Sequence, residues 1–217
     1  MTVRTPPGTA SVAEPAADGK LFAPASERNA AAITDLLREV APETGEALEL
    51  ASGTGQHIVA FAAALPGLNW QPTEPDPVRR ASIDAYRAEA GLENLHSAQD
   101  LDATVPGWGA TRQADLIVLV NLLHLISDSE AETLIREAAK ALRPNGVLVV
   151  YGPFMRAGEL TSEGDRAFHA SLIAHDPETG YKDDFDTLDL MQSAGLSAAL
   201  VMEMPANNLA LVAKREF

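Results

Sequence analysis

The stretch that decides the fold is Leu48-Glu49-Leu50-Ala51-Ser52-Gly53-Thr54-Gly55. A short apolar run at residues 47–51 predicts a strand, and the pattern of residues 56–65 predicts a helix. Gly53 and Gly55 let the backbone turn tightly and approach a ligand without a Cβ in between. The helix that follows presents unpaired backbone N–H groups to the same place. A strand, a glycine turn and a helix in this order predict a ligand-binding loop.

The same strand, loop and helix rhythm continues after this loop, and it predicts a mostly parallel sheet with helices on both faces. The C-terminal end differs, because its last two strands are joined only by the turn at residues 205–208, which permits an antiparallel hairpin and no crossover. We therefore predict an α/β, Rossmann-like fold with a seven-stranded sheet that ends in this hairpin. The further predicted elements are strands at residues 69–73, 95–98, 115–121, 147–151, 197–204 and 209–214, and helices at residues 26–40, 78–90, 129–142 and 187–194.

The composition fits one domain, since the 217 residues are 46% hydrophobic and 22% charged. We expect this domain to span residues 21–217, and we expect residues 1–20, rich in Ala and Pro without periodicity, to be a flexible leader. The formal net charge of −15 argues against nucleic acid and anionic membranes as partners, and it leaves a small-molecule substrate open. The chain has no cysteine, which excludes cysteine-ligated zinc, and we expect no metal. A cytoplasmic protein is expected, with monomer and dimer both open.

An acidic residue, Glu74, ends the second predicted strand about twenty residues beyond Gly53, which is the spacing at which nucleotide-binding folds place a ribose-binding carboxylate. It could accept two hydrogen bonds from ribose hydroxyls. The loop also lacks the third glycine of the dinucleotide fingerprint, because His57 and Ile58 occupy that region.

The loop resembles the E/D-x-G-x-G-x-G loop of class I methyltransferases, which use S-adenosylmethionine, with Ala51 in place of the first glycine. The resemblance implies that Glu49, Ala51, Gly53, Gly55 and Glu74 bind this cofactor. It also identifies residues 21–217 as a single methyltransferase domain.

The resemblance assigns the ends of the third and fourth strands to the cofactor as well. Asp100, or the backbone of the adjacent Leu101, would contact the adenine, with Asp102 as the competing choice. Asn121 would face the methionine part, where its amide offers a donor and an acceptor. Arg28 would pair with the cofactor carboxylate.

Much of the chain further resembles the methyltransferase-like protein 26 family (domain of unknown function 938). Three places depart from the pattern of that family, namely Gly164-Asp165, His169 and Tyr181-Lys182, and all three follow the fifth strand, where methyltransferases recognise acceptors. The segments that carry the resemblance are SERN at residues 26–29, LELASGTGQH at 48–57, WQP at 70–72, NLLHLI at 121–126, YGPF at 151–154, TSE at 161–163, DP at 176–177 with Gly180, and MPANN at 204–208.

These segments, together with the region of the departures after the fifth strand, supply the candidate residues for the methyl acceptor. If the acceptor is a neutral oxygen or nitrogen, His124, His169 or Asp183 could act as its general base, whereas an ionised acceptor needs none. The candidates for binding the acceptor come from the helix at residues 26–40, the end of the fifth strand, the region of the departures and the hairpin turn. They are Asn29, Tyr151, Phe154, Tyr181, Asn207 and Asn208.

The expected function is methyl transfer from S-adenosylmethionine to a small-molecule acceptor. One alternative is a catalytically silent module with the same fold that binds the cofactor or a partner protein, which Ala51 and the unusual acceptor-side residues leave open. A nicotinamide-dependent oxidoreductase is a weaker alternative, because it would normally show the third glycine and has no reason to end in the reversed hairpin.

Overall fold

A computed structural model describes Ala10 and residues 12–216, and a six-stranded sheet forms the centre of this part of the chain. The strands are β1 (Gly45–Leu50), β2 (Leu68–Pro72), β3 (Ala114–Val120), β4 (Leu142–Gly152), β5 (Leu196–Met204) and β6 (Asn208–Arg215). The helices are α1 (Pro24–Val40), α2 (Gln56–Ala64), α3 (Pro77–Ala90), α4 (Asp128–Ala141), α5 (Glu163–His175) and α6 (Asp184–Ser193).

The strand order is β2-β1-β3-β4-β6-β5. The first four strands of this order are parallel to one another, and β6 runs antiparallel to both β4 and β5. The direction of β5 is therefore the same as that of β4. As a result, the carboxyl ends of β1 to β5 lie at one edge of the sheet, which we call the binding edge, and the turn at residues 205–207 lies there too. The predicted Rossmann-like architecture with a terminal hairpin is confirmed.

The prediction of seven strands is wrong by one strand within the described residues. Residues 95–99 make only two isolated parallel bridges to the chain of β2, through Leu95 and Gln99. Side chains take over part of the backbone pairing there, because Asp84 accepts from the N–H of Ala98 at 2.9 Å and Gln71 donates to the carbonyl of Ser97 at 2.8 Å. The segment thus lies beside β2 without forming a regular strand.

Both faces of the sheet are covered by apolar side chains, as expected for buried parallel strands. Along β3, Leu116 and Val118 belong to the core cluster that contains α1 and α2 residues, while Ile117 and Leu119 belong to the cluster that contains α4 residues. All four are fully buried. Burial of each such side chain stabilises the fold by about 1.5–3 kcal/mol, so the sheet holds its edges in fixed positions.

Two pairs of short strands lie outside the central sheet. Glu14–Pro15 pairs antiparallel with Leu21–Phe22, and the N–H of Leu21 donates to the hydroxyl of Ser82 on α3 at 2.7 Å. Residues 1–9 and 11 of the predicted flexible leader lie outside the described residues, so the leader and the domain boundary at residue 21 stay predictions.

The second short pair joins Phe154–Met155 in parallel to Lys182–Asp183. It brings the chain after β4 next to the chain before α6, and α5 lies between them in sequence. None of the helices within residues 12–216 is long and apolar enough to cross a membrane.

The glycine loop, residues 51–55, is packed against α3 at only one of its two glycines. Gly55 has a φ of 97°, and a Cβ there would lie 2.8 Å from the Cα of Ile83. Gly53 has a φ of 60°, but the nearest atom to a Cβ there is 3.7 Å away, on Arg79. The two glycines therefore serve different purposes: Gly55 permits close packing, and Gly53 permits only the turn.

We expect Gly55→Ala to lower the free energy of unfolding by roughly 2–4 kcal/mol, because it adds a clash with backbone to an unfavourable φ. The matched variant Gly53→Ala carries only the strain of a left-handed residue and should cost about 1–2 kcal/mol. Urea unfolding followed by circular dichroism measures both. Equal losses in the two variants would contradict the packing role of Gly55.

Candidate functional site

The glycine loop follows β1, contains residues with left-handed φ values, and is hydrogen-bonded to the chain that follows β2. Ala51 has a φ of 52°, beside the two positive φ values of the glycines. The N–H of Ser52 donates to the carbonyl of Thr73 at 2.8 Å, and the N–H of Gly53 donates to a carboxylate oxygen of Glu74 at 3.0 Å. Two predicted cofactor residues, Gly53 and Glu74, are therefore in direct contact.

Glu74 is held by backbone donors rather than solvated at the strand end. Its second oxygen accepts from the N–H of Asp76 at 3.1 Å, and the residue is only 5% exposed. Burial raises the pKa of Glu74, while the two backbone hydrogen bonds and the charge of Arg79 oppose the increase. A carboxylate has about four acceptor positions, and two are filled by backbone here. The remaining positions suit the two hydroxyls of a ribose.

Glu49, at the end of β1, is the second carboxyl beneath the loop. It is 1% exposed, and burial raises its pKa to about 8, with a hydrogen bond from Ser52 opposing the increase and the charge of Glu74 adding to it. One of its oxygens, Oε2, has no hydrogen-bond partner among the described residues. A buried acceptor in this state is costly, which makes Glu49 an exception in the core.

The residues predicted to contact an adenine lie beside the edge of β2. Asp100 is exposed and forms an ion pair of 3.3 Å with Arg80. Asp102 accepts from the N–H of Thr104 at 2.9 Å, so its carboxylate belongs to a local turn. Leu101 is half-buried and packs against the core cluster that contains α4 residues. Both competing carboxylates are thus engaged within the protein, and the choice between them stays a prediction.

Asn121 follows β3 at the binding edge. It adopts a left-handed φ of 56°, and its N–H donates to the carbonyl of Tyr151 at 2.8 Å. A Cβ on Gly152 would lie 3.7 Å from the Oδ1 of Asn121, so the absence of a side chain at Gly152 keeps space beside the amide. Asn121 therefore lies where the ends of β3 and β4 meet.

A buried polar network, which the sequence analysis did not anticipate, joins four elements at this edge. His57 on α2 donates through Nε2 to the Oδ1 of Asn29 on α1 at 2.7 Å. Asn29 also hydrogen-bonds to the hydroxyl of Tyr151 at the end of β4, and Asn208 donates to the same hydroxyl at 3.0 Å. Burial lowers the pKa of His57 to about 4, so the ring is neutral at pH 7. Three predicted acceptor residues thus lie in one network.

His57 lies two positions after the glycine loop. Its proximity to the two glycines is the only signal in the sequence that could have identified it as a site residue. Its partner Asn29 is 28 positions away. No local periodicity connects positions at such a separation. Arg28, the neighbour of Asn29, lies exposed on α1.

A second polar cluster is centred on Asp165, a buried residue of α5. Its carboxylate accepts from the hydroxyl of Tyr181 at 3.1 Å, from the hydroxyl of Ser162 at 2.6 Å, and from the side-chain amide of Asn207. Burial and the charge of Asp165 raise the pKa of Tyr181. Asp165 therefore holds α5, the segment before α6 and the turn at residues 205–207 together, and sequence analysis had noted it only as a departure from the family pattern.

The three candidate bases differ in what their side chains do. His124 is 4% exposed, and burial, with the charge of Lys182 as a smaller cause, lowers its pKa to about 3. His169 accepts from the N–H of Tyr181 through Nδ1 at 3.0 Å, so the neutral ring carries its proton on Nε2. Asp183 accepts backbone N–H groups from the first turn of α6 and from Gly158, as a helix cap does.

These residues are close to one another. The rings of His124 and Phe168 have centroids 5.6 Å apart, and the ring of Tyr181 lies 6.0 Å from Phe168 and 5.7 Å from His169. Phe154, predicted to bind the acceptor, is 3% exposed and belongs to the apolar core. The aromatic cluster and Asp165 form one wall of the binding edge.

A polar depression of about 300 Å³ lies beside this wall, lined by Tyr181, Lys182 and the first residues of α4. The donors at the start of α4 are already engaged, since Ser127 and Glu130 form a capping box. The ammonium of Lys182 donates to the carbonyl of Ile126 at 2.8 Å and pairs with Asp128 at 2.9 Å. The depression therefore has its charged groups paired within the protein.

The architecture is that of a Rossmann-like methyltransferase fold. The chain aligns with an O-methyltransferase family protein from Burkholderia thailandensis with a TM-score of 0.75 at 17% identity, over 86% of this chain and 56% of that one. The mitomycin 7-O-methyltransferase aligns with a TM-score of 0.72 at 19% identity, over 88% and 54%. A methyltransferase of calicheamicin biosynthesis, solved in its SAH-bound form, aligns with a TM-score of 0.67 at 17% identity, over 84% and 53%. The chain spans about half the length of these structures.

The family model described as "Protein of unknown function (DUF938)" matches residues 20–215. The chain belongs to this family. The expected match to domain of unknown function 938 is confirmed.

We expect His124 to make the protein less stable in acid. Its pKa of about 3 in the fold lies below the ordinary value of 6.5, so the unfolded chain binds a proton between these pH values that the folded chain does not. Stability should fall by up to about 1.4 kcal/mol per pH unit below pH 6.5 on account of this group. His124→Phe keeps a ring beside Phe168 and should have the flatter profile.

Urea unfolding at pH 7, 6 and 5 measures the difference between the two proteins. His96→Phe, which makes the same substitution at an exposed histidine, is the control and should follow the wild type. Parallel profiles for His124→Phe and the wild type would show that His124 is not held neutral by its surroundings.

Proposed function

We propose that the protein transfers a methyl group from S-adenosylmethionine to a small-molecule acceptor. The single observation that carries the proposal is the hydrogen bond between the Gly53 N–H and the Glu74 carboxylate, found at the binding edge of a methyltransferase fold. In support, the carboxylate of Glu74 is buried and held by backbone donors, and no side chain caps the start of α2. That arrangement fits the adenosyl part of the cofactor.

The remaining cofactor contacts are proposed along the same edge. Glu49, Ala51 and Gly55 shape the loop, Asp100 and Leu101 lie on the β2 side for the adenine, and Asn121 lies toward β4 for the amino-acid part. Arg28, exposed on α1, is proposed to reach the cofactor carboxylate. The cofactor, when bound, supplies the activated methyl group.

The acceptor side favours alignment over base catalysis. His124 has a pKa of about 3, the Nδ1 lone pair of His169 is engaged, and Asp183 caps α6. None of the three is a strong proton acceptor at pH 7. We therefore propose that the acceptor reacts as an ionised oxygen or sulfur, or loses its proton to water, and that the protein contributes mainly proximity and orientation.

The residues proposed to orient the acceptor belong to the two polar clusters. His169 can donate from Nε2, and Tyr181 forms part of the aromatic wall. Phe154 would contribute through packing. Asn29, Tyr151 and Asn208 belong to the network around the Tyr151 hydroxyl, and Asn207 donates to Asp165.

Kinship with the methyltransferase-like protein 26 family is proposed from the sequence segments at residues 26–29, 151–154 and 204–208. The cytoplasmic location and the choice between monomer and dimer stay predictions. A catalytically silent, cofactor-binding module is the alternative that the buried and mutually bonded acceptor-side residues support, since several of them have their polar groups already paired.

Isothermal titration with S-adenosylmethionine, S-adenosylhomocysteine and NAD tests the proposal. We expect the two adenosyl-sulfur ligands to bind and NAD to give no heat. Absence of binding by both adenosyl-sulfur ligands would show that the glycine loop is only a structural turn.

The role of Glu74 has its own test. We expect Glu74→Ala to weaken binding of S-adenosylhomocysteine by roughly 1–3 kcal/mol, because ribose hydroxyls lose their acceptor. Glu93→Ala, which removes an exposed glutamate beyond α3, should bind as the wild type does. Unchanged affinity in a folded Glu74→Ala protein would remove Glu74 from the site.

A further inference from the structure

The carboxyl of Glu49 is the least satisfied polar group at the binding edge. It is 1% exposed, and its Oε2 has no hydrogen-bond partner within the described residues. A buried acceptor without a partner is destabilising, and a buried unpaired charge costs more. A protonated carboxyl avoids the larger of these costs, so the empty site favours the neutral acid.

Among the described residues, no cation lowers the pKa of Glu49. Its partners across the sheet are Val118 on β3 and Pro72 on β2, both apolar. Glu74 raises the pKa of Glu49 through its charge, and only a hydrogen bond from Ser52 acts in the opposite direction.

The other charged and titratable groups near the loop do not change this balance. His57, in the first turn of α2, has a pKa of about 4 and is neutral at pH 7. From α3, Arg79 acts on Glu74 rather than being a cause of the shift at Glu49. Within the described residues, Glu74 is thus the charged group that shifts the pKa of Glu49, and it disfavours the ionised form.

We propose that Glu49 is a proton switch for cofactor binding: it is a neutral acid in the ligand-free protein and loses its proton when the cationic amino-acid end of an adenosyl ligand occupies the glycine loop. The proton passes to the buffer, and the carboxylate that forms is the counter-charge of the ligand ammonium. The inference rests on the proposed function and adds to it a defined proton release and a discrimination by charge.

The pH dependence follows from the direction of the change. Free Glu49 has a pKa of about 8, and a nearby cation lowers that value in the complex. Between the two values, binding releases a proton, and affinity rises with pH by up to about tenfold per unit. Above about pH 8 the free protein is already ionised, and the contribution of Glu49 levels off.

The experiment is calorimetric titration of the wild type with S-adenosylhomocysteine, which carries the ammonium, at pH 7 in two buffers of different ionisation enthalpy. The difference in heat counts the protons released, and we expect close to one. Methylthioadenosine has the same adenosine and thioether without the amino acid, and it should release close to none. This comparison needs no variant protein.

The variant Glu49→Gln then tests whether Glu49 is the group that releases the proton on binding. The variant keeps the shape of the side chain and cannot ionise, so its complex with S-adenosylhomocysteine should release about one proton less. Its affinity should fall progressively below that of the wild type between pH 6 and pH 8, by up to about tenfold for each pH unit. Titration of the ligand amine occurs with both proteins and cancels in the comparison.

Several outcomes would overturn the inference. Binding of S-adenosylhomocysteine without proton release, or equal release with methylthioadenosine, would show that no cation acts on Glu49. Release that persists in Glu49→Gln would assign the proton to Glu74 instead. A pH-independent loss of affinity in the variant would indicate a purely structural side chain. If neither adenosyl ligand binds, the proposed function itself fails, and the inference with it.

Discussion

The hydrogen bond from the Gly53 N–H to the Glu74 carboxylate joins the ends of β1 and β2, and the rest of the binding edge depends on it. The parallel register that pairs Glu49 with Pro72 places the following residues of the two strands side by side. The Ser52 and Thr73 backbones then bond directly, and the next step along each chain brings Gly53 to Glu74. The position of the carboxylate is therefore set by strand register, with the left-handed turn supplying the donor.

The same geometry explains why two carboxyls can lie beneath one loop in a protein with a net charge of −15. Glu74 receives two backbone N–H groups and the field of Arg79, which offset part of the cost of burial. Glu49 receives little compensation, and its Oε2 has no partner among the described residues. The two acids beneath the loop thus differ: backbone donors hold Glu74 as an acceptor, whereas Glu49 is desolvated with little compensation. Unfavourable burial of this kind is often concentrated at functional sites.

Sequence reasoning located the elements and contacts that depend on local pattern. The glycine loop, the acidic end of the second strand and the terminal hairpin follow from residue types at fixed spacing, and each is present in the structure. The third predicted strand is not a regular strand, because the side chains of Asp84 and Gln71 hydrogen-bond to two of its backbone groups. Helix α5 was not predicted, since it buries only Asp165 and Leu172 and has no apolar stripe.

The polar clusters could not be predicted for a different reason. His57, Asn29, Tyr151 and Asn208 come from four elements, and only the assembled sheet and helices bring them together. A pattern search detects neighbours at helical or strand spacing and is blind to partners dozens of positions apart. The sequence therefore contained the members of each cluster but not the pairing among them.

The positions expected to depart from the family pattern contact one another in the structure. Asp165 accepts from the hydroxyl of Tyr181, and His169 accepts from its backbone N–H, so the three departing positions touch one another. A phenol needs a partner for its hydroxyl when buried, and Asp165 provides one. An aliphatic residue at position 181 would leave the Asp165 carboxylate with one donor fewer, at a cost typical of a lost buried hydrogen bond. The departing positions are thus a coupled set, and their contacts with one another involve neither Gly53 nor Glu74.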